Sequence, residues 1–213
     1  TDGKVDFSKV MTEGPNQNGF NYFYGITASL DIPPYFYIKN NKITATSIDS
    51  IAGTSGKGFW RPGPIGNDFK HDEVLPHLTN KAVEYIKDQA NSNKPFFLYF
   101  ALPSPHTPIL PTKDYLGKSG TNEYGDFVLM TDEMIGKILA AVKEAGIEQN
   151  TMIIFASDNG VSPSADLKEL AAKGHNSSYI FRGAKADIFE GGHRIPFIVK
   201  WPGFIKPNTE SNA

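Results

Sequence analysis

Thr151-Met152-Ile153-Ile154-Phe155-Ala156-Ser157-Asp158-Asn159-Gly160 is the stretch that decides how this chain is read. Thr151 to Ala156 is short, apolar and rich in branched side chains, which reads as a buried strand. It stops abruptly in Asp158-Asn159-Gly160. A carboxylate and an amide oxygen at the carboxyl end of a buried strand stand where open α/β sheets place their ligands. Two adjacent oxygen donors also suit a hard cation such as calcium or magnesium. The same letters describe an Asn-Gly turn in which Asp158 is a solvated loop residue or a helix cap.

Working upstream, Phe127, Met130, Met134, Ile138, Leu139, Val142 and Ala145 mark an amphipathic helix closed by Gly146. Pro95 to Leu102 is an apolar strand, and Leu78, Ala82, Val83, Ile86 and Ala90 place an earlier helix before it. Downstream, Pro196 to Lys200 is a third strand, ended by Trp201-Pro202-Gly203. Strand, helix and strand with a helix-length crossover form a βαβ unit, which predicts a parallel sheet covered by helices.

Residues 1–70 read differently. Gly14-Pro15, Asn18-Gly19, Pro33-Pro34 and Arg61-Pro62-Gly63-Pro64 break the pattern, and short strands are expected only at Tyr35–Lys39 and Lys42–Thr46, joined at Asn40-Asn41. That much loop is expected to be an insertion that covers something. Phe20, Tyr22, Phe23, Tyr24, Tyr35, Phe36 and Tyr37 either line a pocket or pack the loop down.

Composition narrows the function classes. The 213 residues are 39% hydrophobic and 21% charged, with a net charge of −2. That is ordinary for a globular chain and argues against a nucleic-acid partner. No apolar run approaches the roughly 20 residues of a membrane span. Cysteine is absent, which excludes disulfides, thiolate metal sites and a cysteine nucleophile among these residues. The chain starts at Thr1-Asp2-Gly3 with neither an initiator Met nor a signal peptide, so a processed start or a piece of a longer chain is expected.

Two further constellations carry chemistry. Pro105-His106-Thr107-Pro108 sets a histidine between prolines just past the Pro95–Leu102 strand, where it faces the same crevice as Asp158 if the strands are neighbours. Phe181 to Pro196 gathers Arg182, Lys185, His193 and Arg194 around Gly191-Gly192. Such donors suit a tetrahedral oxyanion, with Lys as a compact point charge; a solvated charged loop has the same composition.

In this order and spacing, Pro105-His106-x-Pro108, Ser157-Asp158-Asn159-Gly160, Arg182-Gly183-x-Lys185 and Glu190-Gly191-Gly192-x-Arg194-x-Pro196 resemble the type I sulfatases. Gly19 to Gly25 and Pro33 to Ile38 are similar to family segments as well, so the resemblance spans about residues 14–205. It implies an alkaline-phosphatase-like α/β fold with a mostly parallel central sheet flanked by helices, incomplete in this chain. Residues 1–70 would be a loop-rich, substrate-side segment, and residues 71–213 the βαβ core of the catalytic domain. The family hydrolyses sulfate esters with calcium (Mg2+ less so) and a hydrated formylglycine nucleophile. The resemblance assigns metal ligands to Asp158 and Asn159 and catalytic contacts with the sulfate to His106 and Lys185; His193 is a weaker substrate-binding candidate, whose other reading is packing beside Arg194.

The family's Cys/Ser-x-Pro-x-Arg motif, its N-terminal Asp-Asp pair and its Gly-Lys-Trp-His segment do not occur here. The expectation is therefore the middle of a sulfatase, with formylglycine only in an upstream segment and the isolated chain inactive and prone to self-association. The expected partner is a small-molecule or carbohydrate sulfate ester, with no nucleic acid and no membrane span. By resemblance the location is periplasmic or secreted. A phosphate or phosphonate ester hydrolase, and a non-catalytic calcium- or oxyanion-binding module, remain alternatives.

Overall fold

The computed structural model describes residues 5–92 and 94–211. Near its start, β1 (Tyr24–Ile26), β2 (Tyr37–Lys39) and β3 (Lys42–Ile43) form an antiparallel sheet in that order, with Gly25 and Ile43 both opposite Ile38. The β2–β3 hairpin turns at Asn40-Asn41 as the sequence predicts. Asn40 has φ 57°, the left-handed value such turns demand, and its side-chain oxygen accepts the Phe23 amide. β4 (Ile48–Ile51) and β5 (Gly63–Gly66) form a second antiparallel ribbon, so the segment expected to be irregular holds several short strands.

α1 (Val74–Ala90) buries Val74, Leu75, Leu78, Ala82 and Ile86 at the predicted helical spacing. Leu30, Tyr35, Tyr37 and Phe69 close a core against its first turns. α2 (Glu123–Glu144) is capped by Asn122, whose side chain accepts the Tyr124 and Gly125 amides. At its far end Gly146, at φ 71°, donates to Lys143, and Ile147 donates to Val142, which satisfies carbonyls the helix leaves open. Leu75 meets Phe127, Met130 and Met134, while Ile86 meets Ala141 and Val142. The two helices therefore lie side by side and run in the same direction.

β6 (Ile153–Ala156), α3 (Leu167–Ala172), α4 (Glu190–His193) and β7 (Phe197–Lys200) complete the chain. Here the expected parallel sheet is corrected. β6 pairs antiparallel with β7, Ile153 opposite Lys200 and Ala156 opposite Phe197. The connection between them is loop with two short helices, and it brings the chain back in the reverse direction instead of crossing over. Pro95 to Leu102 enters no ladder among the described residues. The burial expected of β6 is corrected too: Ile153 is half-buried, but Ile154, Phe155 and Ala156 are exposed. Its apolar letters suit a strand covered on both faces, and the described residues cover only part of one. The α/β content stands, carried by helices and small antiparallel sheets.

Candidate active site

The His106 loop is pinned from below. Thr131 on α2 donates its hydroxyl to Ser104 Oγ at 2.9 Å, and the amide of buried Ile109 donates to Lys57 O at 2.8 Å. Lys57 in turn bridges Glu123, at the start of α2, and Glu169 on α3. His106 itself is exposed, with Nδ1 2.6 Å from Thr107 O. A carbonyl only accepts, so Nδ1 carries the proton, and Nε2 is the atom left for a ligand.

The loop after β6 is locked to the 183–192 region by backbone. Gly160 donates to Gly192 O at 2.8 Å, Lys185 donates to Val161 O at 2.8 Å, and Gly191 donates to Arg182 O at 2.8 Å. A Cβ on Gly160 would lie 1.9 Å from Gly191 O, and one on Gly191 would lie 2.2 Å from Gly183 O. These contacts are closer than any side chain permits, which is why glycine stands at both positions. The lock holds half-buried Lys185 beside the Asp158 loop.

His106, Asp158, Asn159 and Lys185 line one cleft of about 880 Å³. His193 is not among its lining residues; it is exposed and its Nε2 is 2.9 Å from Ile188 O. Two other cations of that segment are held by aromatic rings. Arg182 lies 3.7 Å from the Phe189 ring centre, and Arg194 lies 4.8 Å from that of Phe181 while pairing with Glu190. Of the candidate aromatics, Tyr35, Phe36 and Tyr37 are core, whereas Phe20, Tyr22, Phe23 and Tyr24 line the cleft.

Sequence reasoning missed Lys81 and Tyr85, which reach the cleft from α1. Their signal was a lysine and a tyrosine four positions apart, flanking the apolar stripe. Tyr85 stacks on Tyr22 at 5.2 Å, and Lys81 sits 5.8 Å from the Tyr24 ring centre. The Tyr24 hydroxyl is 2.8 Å from His77 Nε2. Burial and the nearby Asp68 carboxylate push the Tyr24 phenol up to about 12, and burial with Lys81 holds His77 below its ordinary value. Both are neutral at pH 7, which leaves Lys81 and Lys185 as the cleft's fixed positive charges.

The donors also bear on a metal. Asn159 Nδ2 donates to Gly160 O at 3.0 Å, so its Oδ1 is the atom free to coordinate. With Asp158 this makes a pair of hard oxygen donors of the kind calcium prefers. Among the described residues no group of three or more His, Cys, Asp or Glu gathers around a common point. The pair therefore fits part of a calcium shell of about 6–8 oxygens.

A model of the Sulfatase family matches residues 4–213. The chain is 28% identical to an N-acetylgalactosamine-6-O-sulfatase of Bacteroides thetaiotaomicron, over 98% of this chain and 48% of that protein. It is 37% identical to an arylsulfatase of Hemicentrotus pulcherrimus, over 69% of this chain and 25% of the relative. A solved sulfatase structure from the metabolism of multiple glycosaminoglycans by Bacteroides thetaiotaomicron superposes with a TM-score of 0.81 at 28% identity, covering 97% of this chain and 50% of that one. The chain thus spans about half the length, or less, of the proteins it matches.

Proposed function

The chain belongs to the sulfatase family, and on that premise we propose that its cleft is the sulfate-binding part of a site that hydrolyses a carbohydrate sulfate ester. The observation that carries this reading is the meeting of His106, Asp158, Asn159 and Lys185 on one cleft. The substrate we assign is an N-acetylgalactosamine 6-sulfate unit, the substrate named for the relative that matches nearly the whole chain.

A bound sulfate group presents three oxygens in a tetrahedral array. Lys185, held beside the Asp158 loop through its own amide, meets one of them as a compact positive charge. His106, with Nδ1–H committed to Thr107 O, turns Nε2 toward the ester. In the imidazolium form Nε2–H delivers its proton to the leaving sugar oxygen as the sulfur–oxygen bond breaks. Calcium, held by Asp158 and Asn159 with oxygens from outside these residues, would neutralise charge on the sulfate. The attacking oxygen is assigned to none of these residues, which include neither a cysteine nor a Ser-x-Pro-x-Arg sequence. A formylglycine in the half of the domain not represented here is the reading that accounts for it. His193 takes no part in these steps.

Calorimetry tests this reading on the chain itself, in millimolar calcium. N-acetylgalactosamine 6-sulfate is expected to bind with a Kd of about 1 mM and the unsulfated sugar at least about tenfold more weakly. Lys185→Ala should erase that difference, since a hydrogen bond to a charged group contributes about 1.5–3 kcal/mol. Equal binding of the two sugars to the unsubstituted chain would overturn the assignment.

A further inference from the structure

Both loops that carry the chemistry are anchored at the start of α2, and a tyrosine stands between the anchors. Asn122 accepts the Tyr124 amide at 3.0 Å through Oδ1 and donates Nδ2 to Ala165 O at 3.0 Å, so the stretch that follows Asp158 is tied to the helix cap. The same Nδ2 reaches Glu169, which shares Lys57 with Glu123. The Ile109 amide donates to Lys57 O, and further along α2 the Thr131 hydroxyl donates to Ser104 Oγ. The His106 loop is therefore held at both ends, by Thr131 before the histidine and through Lys57 and Glu123 after it. Tyr124, Phe127 and Thr131 follow at spacings of three and four, which puts them on one face of the helix. That face is the one the His106 loop crosses.

Tyr124 is half-buried and packs on the cluster of Ile109, Phe127 and Met130. It also borders the cleft, together with Ser104 to His106, Ser157 to Ser162 and Lys185. Burial is the sole cause that raises its phenol above the ordinary value, and its hydroxyl has no hydrogen-bond partner among the described residues. Nor is that hydroxyl one of the sealed polar atoms. A tyrosine whose ring lies on a core and whose polar tip stays open is built to meet a partner at that tip. The tyrosines nearer α1 are placed differently. Tyr24 is engaged with His77, and Tyr22 stacks on Tyr85. All three border a second cavity of about 740 Å³, which Tyr124, His106, Asp158 and Lys185 do not reach.

We propose that Tyr124 is a sulfate-binding residue, its hydroxyl donating a hydrogen bond to an oxygen of a sulfate group seated between His106 and Lys185. The proposal rests on the sulfate-site reading above and adds to that site a residue from α2. The unbridged oxygens of a sulfate ester carry no proton and only accept hydrogen bonds. Lys185 takes one of them and His106 faces the ester oxygen, which leaves acceptors that a neutral O–H can fill without adding charge. The phenol keeps its proton, so it acts as a fixed dipole held by the helix and not as an acid. Its depth selects the sulfate over the sugar. Tyr124 is wedged against the core where both loops are anchored, whereas His106 is exposed, on the side open to the larger sugar ring.

The test is Tyr124→Phe, which removes one oxygen and keeps the ring. NMR-detected titrations of the 213-residue chain in millimolar calcium would use three probes: inorganic sulfate, N-acetylgalactosamine 6-sulfate and N-acetylgalactosamine. Both sulfated probes should bind about tenfold more weakly to Tyr124→Phe, by the same factor, with the unsulfated sugar unchanged. Tyr115→Phe, which alters a phenol on the same apolar cluster that does not border the cleft, should leave all three affinities as they were. A change of less than about twofold in Tyr124→Phe would overturn the proposal. So would weakening confined to the two sugars, since the hydroxyl would then face the sugar, and so would equal weakening in Tyr115→Phe, which would make the effect one of packing. Lys185→Ala separates this proposal from the reading beneath it. An unsubstituted chain with no preference for the sulfated sugar removes both. A preference that Lys185→Ala erases and Tyr124→Phe leaves intact removes Tyr124 alone.

Discussion

The aromatic core over α1 and the β6–β7 ribbon are built from similar residues with opposite results. In the first, Leu30, Tyr35, Tyr37 and Phe69 are each no more than 4% exposed. In the second, Phe197 and Ile198 stand open at 69% and 60%. The core closes because β2 and the loops beside it fold back onto Val74 and Leu78 of α1. The ribbon packs on the helix cluster through Ile153, and apart from Ile153 and half-buried Val199 its residues are exposed. The chemistry-bearing loops sit on the open side. One region closes on itself, and the other carries the cleft loops beside exposed apolar side chains.

The largest expected effect sharpens that contrast within the core. Phe69→Ala, which removes a ring packed 4.9 Å from that of Tyr37, should cost about 3–5 kcal/mol in chemical denaturation. A loss below about 1 kcal/mol would mean that the core is no better closed than the ribbon.

Next in size is an acid effect confined to the same core. His71 stacks on Trp60 at 4.2 Å and meets the Tyr35 ring at 4.4 Å, and its Nε2 has no hydrogen-bond partner among the described residues. Burial, opposed by the Asp72 charge, draws its pKa down to about 4. In the unfolded chain the value is about 6.5, so on acidification the unfolded state takes up a proton before the folded state does. Stability present above pH ~6.5 should therefore fall as the pH drops toward ~4, by on the order of 3 kcal/mol in total. Below that this group adds no further loss. His77, also held below its ordinary value, acts in the same sense. Denaturation midpoints measured across this window should decline less in His71→Phe; an unchanged decline would remove His71 as the cause.

The smallest expected effect lies on the ribbon. Phe197→Ala should change the stability of the isolated chain by no more than about 0.5 kcal/mol, because the side chain it deletes is solvated already. A loss comparable to that of Phe69→Ala would show that the ribbon is covered in solution and would break the comparison.

The two helices, the hairpin at Asn40-Asn41 and the cleft position of His106 and Asp158 were legible because each rests on local chemistry (an apolar stripe, a turn dipeptide, the end of an extended apolar run), whereas Lys185 was singled out from a charged loop only by the family resemblance. Strand direction was not, since periodicity carries no sign and β6 reads the same whether β7 returns parallel or antiparallel. The burial of β6 was misjudged for a related reason. Its letters record the environment a strand is built for, which this chain supplies on only part of one face. Lys81 and Tyr85 were hidden because a polar residue beside an apolar stripe looks like a solvated helix face until a loop folds across it.

The most direct measurement is turnover of 4-nitrophenyl sulfate by the purified chain with added calcium. The account holds that His106, Lys185, Asp158 and Asn159 form the sulfate- and cation-facing part of a site whose nucleophile lies outside these residues, so it predicts no release of 4-nitrophenol above the uncatalysed rate. Calcium-dependent release that disappears in Asp158→Ala would contradict it and place the nucleophile within these 213 residues.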